Sequence, residues 1–451
     1  MEKRDPLSEK DVAGQAKHGE MQDFSYRESV SWLYGLQKLG VKFGLSKTSN
    51  LLKAFGNPHR GQRYIHIAGT NGKGSVGALL ESVLIKSGLK VGLYTSPHLV
   101  SFTERFRINR EGMEKKEVAP LIKELKEVIE DREPPTFFEL TTAMALIYFS
   151  RSGVDIGIVE VGMGGRLDAT NVITPMVSVI TNIGLDHQEF LGNHILDIAK
   201  EKGGIIKKGV AVVTGVTQPS IVRLFESRCK ERGAPFWRVG HHVRYRRLPS
   251  GLLGYYGLGK RLSNLRIGLN GRFQFRNAAL ALLTFEILET KGLTIPDEAV
   301  RSGLADPSWP GRLETVSFDP AIILDGAHNP SAMRSLAYAI KSDFDFRQLI
   351  VVLGIMGDKD IANILKEILP LATRVIYTRA TYHRAADPQI LMEQGKRFGK
   401  TGEVHATIPA AIDRARNLAD KRDLILITGS LYTVGEAKSC LDPENYPTED
   451  I

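Results

Sequence analysis

The chain has 451 residues, 42% hydrophobic and 25% charged, an ordinary globular composition with length enough for two domains. No apolar run reaches membrane-spanning length, residues 1–20 lack the apolar core of a secretion signal, and the only cysteines are Cys229 and Cys440. A cytoplasmic protein without a disulfide framework is expected. The net charge of +9, from 60 Lys+Arg against 51 Asp+Glu, is dispersed and suits attraction of small polyanions. Its densest basic run, His241–Arg247, has no nucleic-acid fold signature around it and reads as a solvated hairpin or loop. Neither nucleic acid nor a membrane is an expected partner.

Residues 1–22 are polar and without periodicity, so a disordered tail is expected. A helix opens at Ser25 and stops near Gly40, Val41–Leu45 is a short apolar turn, and a second small helix ends at Gly56. Then comes YIHIAGTNGKGSVGALLESVLIKSGLK, Tyr64–Lys90. Tyr64–Ala68 reads as a buried strand, Gly69–Ser75 as a loop with three glycines, and Val76–Ser87 as a helix. Glycines let backbone wrap an anion, the helix N-terminus offers unpaired N–H groups, and Lys73 adds a charge within reach of a terminal phosphate. The stretch reads as a cradle for a nucleoside triphosphate, with ATP expected and Asn71, Gly72, Lys73 and Gly74 as its contacts. It departs from the Walker A pattern, because Ile67 stands at the first glycine and Gly74 separates Lys73 from Ser75. A plain glycine turn is the competing reading.

A second strand, Val91–Tyr94, runs into Thr95-Ser96-Pro97-His98, and a charged amphipathic helix spans about Lys115 to Glu130. A proline-rich loop leads into an apolar helix that Gly153 ends. Ile156–Val161 is an apolar run holding one carboxylate, Glu160, which needs a cation, a donor set or a strand-end position. Strand Met176–Ile180 delivers Asp186 and His187 into a loop, followed by a helix with Lys200, Glu201 and Lys202. Strand Val210–Val213, helix Pro219–Arg232 and an irregular stretch to about Gly271 come next, then helices Asn277–Lys291 and Asp297–Leu304. Ala305–Arg312, with two prolines and no periodicity, is the linker candidate. Beyond it strand–loop–helix units restart at AIILDGAHNP, LIVVLGIMGDKD, RVIYTRA and LILITGSLY. The expected fold is α/β: an N-terminal P-loop-type ATPase domain with a mostly parallel sheet over 23–304, a linker at 305–311, and a smaller Rossmann-like domain over 312–451. Polar loops at strand carboxyl ends in both predict two domains closing on one crevice.

Ser96, Glu160 and His187 each fall at or just past such a strand end, and a hydroxyl, a carboxylate and an imidazole form a mixed set that a hard divalent ion with phosphate and water ligands accepts. Each alone also suits a turn residue, a salt-bridge partner or a loop histidine; beside the cradle they favour a metal.

The ordered motifs HIAGTNGKGS, YTSPHL, ERFRIN, FFELTTAMAL, VEVGMGGRLDATN, LDHQEFLG, EKGGII, WPGRLE, LDGAHNP, GIMGDKD and TGSLYTVGE resemble the folylpolyglutamate synthase and dihydrofolate synthase family, a branch of the Mur ligases, over about Ser25 to Glu436. That resemblance implies an ATP-dependent amide ligase that phosphorylates a carboxylate of a reduced folate or dihydropteroate and lets L-glutamate displace the phosphate. It implies magnesium, with two ions expected and a monovalent cation left open, and a monomer. On this resemblance Lys73, Lys202 and His187 serve catalysis, Ser96, Glu160 and His187 hold metal, and Lys202 is a lysine carbamylated in relatives. Asn277, Arg312, Asp325 and His328 match nucleotide-site positions. Val41, Lys42 and Phe43, then Thr136, Phe137, Phe138 and Glu139, then Leu167, Asp168 and Ala169 match segments that contact the pterin-bearing substrate. Lys42 stands where relatives that also use dihydropteroate carry an acidic residue, so folylpolyglutamate synthase is expected, with dihydrofolate synthase as a second activity left open. Two rivals are a Mur-type ligase acting on a cell-wall nucleotide, which calls for a UDP-binding domain before the cradle, and a nucleotide-dependent binding protein without ligation.

Overall fold

The structure, a computed structural model, describes residues 25–40, 42–129 and 133–449. The tail expected at 1–22 and the substrate candidate Val41 lie outside these residues.

The first lobe is built on an eight-stranded sheet in the order Glu111–Gly112, Phe106–Ile108, Val91–Tyr94, Ile156–Glu160, Tyr64–Ala68, Val177–Ile180, Ala211–Thr214, Phe236–Arg238. From Val91–Tyr94 onward all pairs are parallel; Phe106–Ile108 and Glu111–Gly112 add an antiparallel edge. Tyr64–Ala68, Ile156–Glu160 and Val177–Ile180 are buried throughout, which is why they read as continuous apolar runs rather than alternating ones. In register, Tyr64 lies opposite Gly157, and Ile65 opposite both Ile158 and Val177. Parallel strands share one carboxyl edge, so the loops after Ala68, Tyr94, Glu160 and Ile180 come together there.

One face of this sheet packs on Lys73–Lys86, Gln274–Glu289 and Asp297–Ala305, the other on Ser46–Ala54, Lys115–Ile129 and Phe137–Arg151. Gln274–Glu289 is apolar on all sides because it is enclosed between the large sheet and a second, three-stranded one. That second sheet, Arg244–Arg247, Leu253–Tyr256 and Arg261–Leu265, is antiparallel and occupies the stretch expected to be irregular. Its signal was hidden because exposed Arg244, Arg246 and Arg247 crowd one strand, while Leu253, Tyr255, Leu262 and Leu265 bury the other side. Tyr255 also donates its hydroxyl to Glu286 at 2.6 Å.

The second lobe is a six-stranded sheet in the order Glu314–Phe318, Ala321–Asp325, Leu424–Thr428, Leu349–Leu353, Arg374–Tyr377, Glu403–Val404. It is parallel apart from the Glu314–Phe318 edge, and two apolar clusters cover its faces. Its loops after Asp325, Leu353 and Thr428 sit at one carboxyl edge, as in the first lobe.

Candidate active site

Helix Lys73–Lys86 starts earlier than its apolar periodicity suggests, directly from Gly72, which is left-handed at φ 83°. A Cβ on Gly72 would sit 2.8 Å from Asn277 Oδ1, so the position needs glycine twice over. The loop is held from the neighbouring strand: Asn71 N–H donates to Asn182 Oδ1 at 2.9 Å, and Thr181 Oγ1 donates to the Asn71 carbonyl at 2.7 Å. Thr70 Oγ1 exchanges bonds with the Gly184 backbone at 3.0 and 3.1 Å. A loop fixed this way leaves the first-turn N–H groups of the helix as a standing anion site. Ser75 is buried and accepts from Gln274 Nε2 at 3.4 Å.

Two lysines converge on one carbonyl. Lys73 Nζ donates to Gly69 O at 3.2 Å, and Lys202 Nζ, from the end of Ile195–Lys202, donates to the same oxygen at 3.0 Å. Lys202 is only 4% exposed, and burial together with the Lys73 charge brings its ammonium down to about 7. Glu160 ends its strand 3.6 Å from Lys73 Nζ. Burial raises its carboxyl above the usual range, while Lys73 and Arg312 pull against that. His187, left-handed at φ 50°, has its imidazole lowered to about 4 by burial and by Lys359, Lys202 and Lys73, against Asp186, and is neutral at pH 7. Ser96 is half-buried just past the end of Val91–Tyr94.

Among the described residues no group of three or more His, Cys, Asp or Glu side chains gathers as a ready metal site. A buried carboxylate only loosely paired with lysine and a neutral imidazole nevertheless suit magnesium, which keeps waters and substrate phosphates as most of its ligands.

The second lobe meets this edge directly. Arg312 follows the linker, and its charge acts on both Glu160 and Asp325. Asp325 accepts the Leu313 and Ala327 N–H groups, each at 2.9 Å, and burial raises its carboxyl against Arg312. His328 Nδ1 bonds Gly326 O at 2.9 Å, with Nε2 3.7 Å from Asp186 Oδ2. Asn277 Nδ2 donates to Gln274 Oε1 at 2.7 Å.

Sequence reasoning passed over the clasp that joins the lobes. Asn329 Nδ2 donates to Asn71 Oδ1 at 2.9 Å and to Asp186 Oδ2 at 3.0 Å, Asn71 Nδ2 donates to Ser331 Oγ at 2.8 Å, and Lys359 Nζ lies 3.1 Å from Asp186 Oδ1. Burial alone would raise Asp186, yet His187, His328 and Lys359 hold it below the usual carboxylate range. The available signal was position: Asn329 and Lys359 both stand in polar turns at strand ends.

The substrate candidates divide. Lys42 is exposed and pairs with Glu133 at 2.8 Å; Phe43 is exposed with its ring 6.4 Å from that of Phe190. Gly44 N–H donates to Leu167 O at 3.3 Å, which joins this loop to the Leu167–Ala169 turn. Asp168 is buried and caps that turn through the Met163 and Thr170 N–H groups, each at 3.0 Å. Thr136 and Glu139 are engaged with each other as the capping box of Phe137–Arg151. Phe137 stacks on Tyr34 at 5.6 Å, and Phe138 fills the space above Gly162. These four therefore carry structural work of their own.

A glycine cradle, a buried strand-end carboxylate and a second α/β lobe clasped over both define a two-lobed nucleotide-dependent enzyme. The Mur ligase middle domain matches residues 67–285, and the Mur ligase glutamate ligase domain matches 311–431. The dihydrofolate synthase/folylpolyglutamate synthase of Bacillus subtilis is 36% identical over 92% of this chain and 99% of its own; the folylpolyglutamate synthase of Lacticaseibacillus casei gives the same three figures. The chain spans half, 50%, of a probable bifunctional folylpolyglutamate synthase/dihydropteroate synthase of Haloferax volcanii, also 36% identical over 92% of this chain. Among solved structures, Mycobacterium tuberculosis folylpolyglutamate synthase complexed with ADP and AMPPCP superposes with TM-score 0.87 at 33% identity, over 93% of this chain and 99% of that one. Escherichia coli FolC in complex with DHPP and ADP gives 0.85 at 32%, over 92% and 98%. The chain belongs to the folylpolyglutamate synthase/dihydrofolate synthase family of Mur ligases, which are ATP-dependent enzymes.

Proposed function

We propose that this protein is an ATP-dependent ligase that adds L-glutamate to reduced folates. The observation that carries the reading is the convergence of Lys73, Lys202 and Glu160 on the Gly69 end of the cradle, with Arg312 arriving from the other lobe. In the reaction, a folate carboxylate oxygen attacks the γ-phosphorus of ATP, an O–P bond forms and ADP leaves. The glutamate amine then attacks the acyl carbon, phosphate departs with the bonding pair, and the amine gives up a proton. The backbone of Asn71–Gly74 and Lys73 grip the phosphates, Arg312 neutralises charge on the transferred group, and the closed lobes exclude water from the acyl phosphate. Asn277, Asp325 and His328 line the nucleotide side.

Ser96, Glu160 and His187 would hold magnesium, expected as two ions, which would supply neutralisation of phosphate charge; a monovalent cation is left open. Lys202 is the carbamylation candidate, since its lowered ammonium pKa leaves a large neutral-amine fraction to react with carbon dioxide. Phe43 and the Leu167–Ala169 turn, rather than the capping residues Thr136 and Glu139, offer the surface for the pterin. The enzyme acts as a cytoplasmic monomer. Lys42 favours folate over dihydropteroate, which leaves dihydrofolate synthase as the lesser activity.

The test supplies ATP, magnesium and labelled L-glutamate with tetrahydrofolate or dihydropteroate in parallel. Incorporation into tetrahydrofolate above that into dihydropteroate is expected, and no incorporation into either refutes the ligase reading.

A further inference from the structure

Past helix Leu431–Leu441 the chain leaves the second lobe and crosses to the first, where the side chain of Glu449 is only 8% exposed. Four donors meet its carboxylate, and all belong to the first lobe. Ser101 Oγ donates to Oε1 at 2.7 Å and the Phe102 N–H to Oε2 at 3.2 Å; the Tyr26 hydroxyl lies 3.2 Å from both oxygens, and Lys115 Nζ 3.2 Å from Oε1. Tyr26 is 1% exposed, and burial together with the Glu449 charge pushes its hydroxyl far above the ordinary phenol range, so it stays a donor at physiological pH. A carboxylate taken this far out of water needs such a donor set, and three separate stretches of the first lobe supply it.

The root of the crossing segment is fixed as firmly to its own lobe. Lys438, on Leu431–Leu441 with its side chain 7% exposed, pairs with Glu314 at 2.7 Å and Asp442 at 3.5 Å, and its ammonium lies 4.5 Å from the Tyr446 ring centroid. The Tyr446 N–H donates to Asp442 O at 3.0 Å, which closes a turn between root and tip. What the tip seizes is rigid in turn. Glu104 accepts the N–H groups of Leu99, Val100 and Ser101 at 2.8, 3.0 and 2.7 Å and completes a capping box with Ser101. Helix Leu431–Leu441 packs against the same stretch so closely that a Cβ on Gly435 would lie 2.0 Å from Leu99 O. The second lobe thus grips Leu99–Phe102 twice, once with its last helix and once with Glu449.

We propose that residues 442–449 form a latch that keeps the second lobe on the first, and that Glu449, which bonds to no cradle residue among the described ones, sets through this closure how tightly the nucleotide is held. Parting the lobes must either withdraw the carboxylate from its four donors or pull Tyr446 off Lys438. Closure in turn braces the phosphate loop, because Asn71 is bonded to Asn329 and Ser331 of the second lobe. Glu449 is a positioning residue: a weaker latch lowers the closed fraction, and apparent affinity falls with that fraction. The inference goes beyond the ligase reading and holds whichever acid is ligated.

The experiment uses the full chain as wild type, Glu449→Ala, Glu449→Gln and Tyr446→Ala. A non-hydrolysable ATP analogue is titrated calorimetrically, and hydrogen–deuterium exchange of the nucleotide-free proteins is followed. Glu449→Ala should weaken the analogue about fivefold or more and speed exchange both at Leu99–Phe102 and at the clasp residues 326–331. Glu449→Gln, which keeps one acceptor oxygen, should recover part of both effects. Tyr446→Ala, which leaves every first-lobe contact of Glu449 in place, should reproduce both, and it carries the comparison should Glu449→Ala fail to fold. Faster exchange at Leu99–Phe102 alone, with affinity unchanged, means that Glu449 only staples a loop and overturns the latch. Lost affinity without faster exchange at the clasp overturns it too, since closure is then not the route. A wild type that does not bind the analogue strikes the nucleotide reading, while the exchange comparison still decides the latch.

Discussion

The cradle helix is tied to the edge of its sheet by one buried ion pair, and removing half of it makes a sharp test of how the lobe is held together. Arg107 Nη2 donates to Glu81 Oε2 at 2.7 Å, with side-chain exposures of 9% and 1%. Glu81 lies on Lys73–Lys86, and Arg107 on the edge strand Phe106–Ile108. The Arg107 guanidinium also lies 5.6 Å from the Trp309 ring centroid, and Trp309 covers Gly74 so closely that a Cβ there would sit 2.4 Å from the indole. Arg107→Met leaves Glu81 with the Arg110 N–H at 3.1 Å as its remaining partner. Breaking a buried pair in this way costs about 3–5 kcal/mol, and loss of the cation over the indole adds about 1 kcal/mol. Converting both ends, Glu81→Leu with Arg107→Met, removes the stranded carboxylate and brings the total back to about 2 kcal/mol or less. Urea denaturation of the four proteins gives the coupling energy directly. A single substitution costing under about 1 kcal/mol, or a double variant as unstable as the sum of the singles, refutes the reasoning.

Gly74→Ala should lower stability by about 1–3 kcal/mol through the clash with Trp309 and weaken binding of a non-hydrolysable ATP analogue; unchanged affinity means the loop tolerates a side chain there. Lys73→Ala should reduce kcat at least about 100-fold with the urea midpoint nearly unchanged, and retained turnover removes the cradle from the mechanism. His66 is fully buried, bonds Thr170 Oγ1 at 2.8 Å, and its imidazole is lowered by burial and the Lys207 charge from the ordinary 6.5 to about 3. Its folded form resists a proton that the unfolded chain accepts, so stability is complete above pH 6.5 and falls as pH drops from there toward about 3, with a limiting slope of about 1.4 kcal/mol per pH unit. Denaturant midpoints at pH 7 and pH 5 for wild type and His66→Gln check this, since the variant should show a smaller drop. Asn329→Ala removes a bridge to Asn71 and Asp186 as well as a helix cap, and should cost about 1–2 kcal/mol and raise KM for ATP; an effect on stability alone argues that the clasp does not set the cradle.

Much of the first lobe was legible because parallel strands buried on both faces leave little choice of residue, and glycine with Lys73 marks the loop between them. Glu160 stood out for a related reason: a single carboxylate in an apolar run must be answered by something. The three-stranded sheet was illegible because its exposed strand is nearly all arginine, which carries no alternation. Thr136 and Glu139 show another limit. A capping box and a ligand-binding pair use the same residue types, and only the 2.8 Å bond from the Thr136 N–H to Glu139 Oε2 reveals the capping role. Glu449 lay beyond the quoted motifs, and in sequence a carboxylate in a polar tail looks like any solvated one.

The clasp at Asn71, Asp186, Asn329 and Lys359 makes gripping phosphate and closing the lobes two aspects of one event. Asn71 belongs to the cradle; its backbone N–H is held by Asn182, and its side-chain amide by Asn329 and Ser331 of the other lobe. Asp186 is next to His187 in the chain, so its contacts with Lys359 and Asn329 fix the backbone that presents the imidazole. Separation of the lobes therefore loosens the phosphate loop and the histidine together. A ligase whose acyl phosphate is destroyed by water gains from that linkage, because phosphoryl transfer is competent only in the geometry that also shuts water out. The same linkage predicts that Lys359→Met weakens ATP binding although Lys359 belongs to the other lobe. An isothermal titration with a non-hydrolysable analogue that finds full affinity in this variant uncouples closure from the phosphate grip.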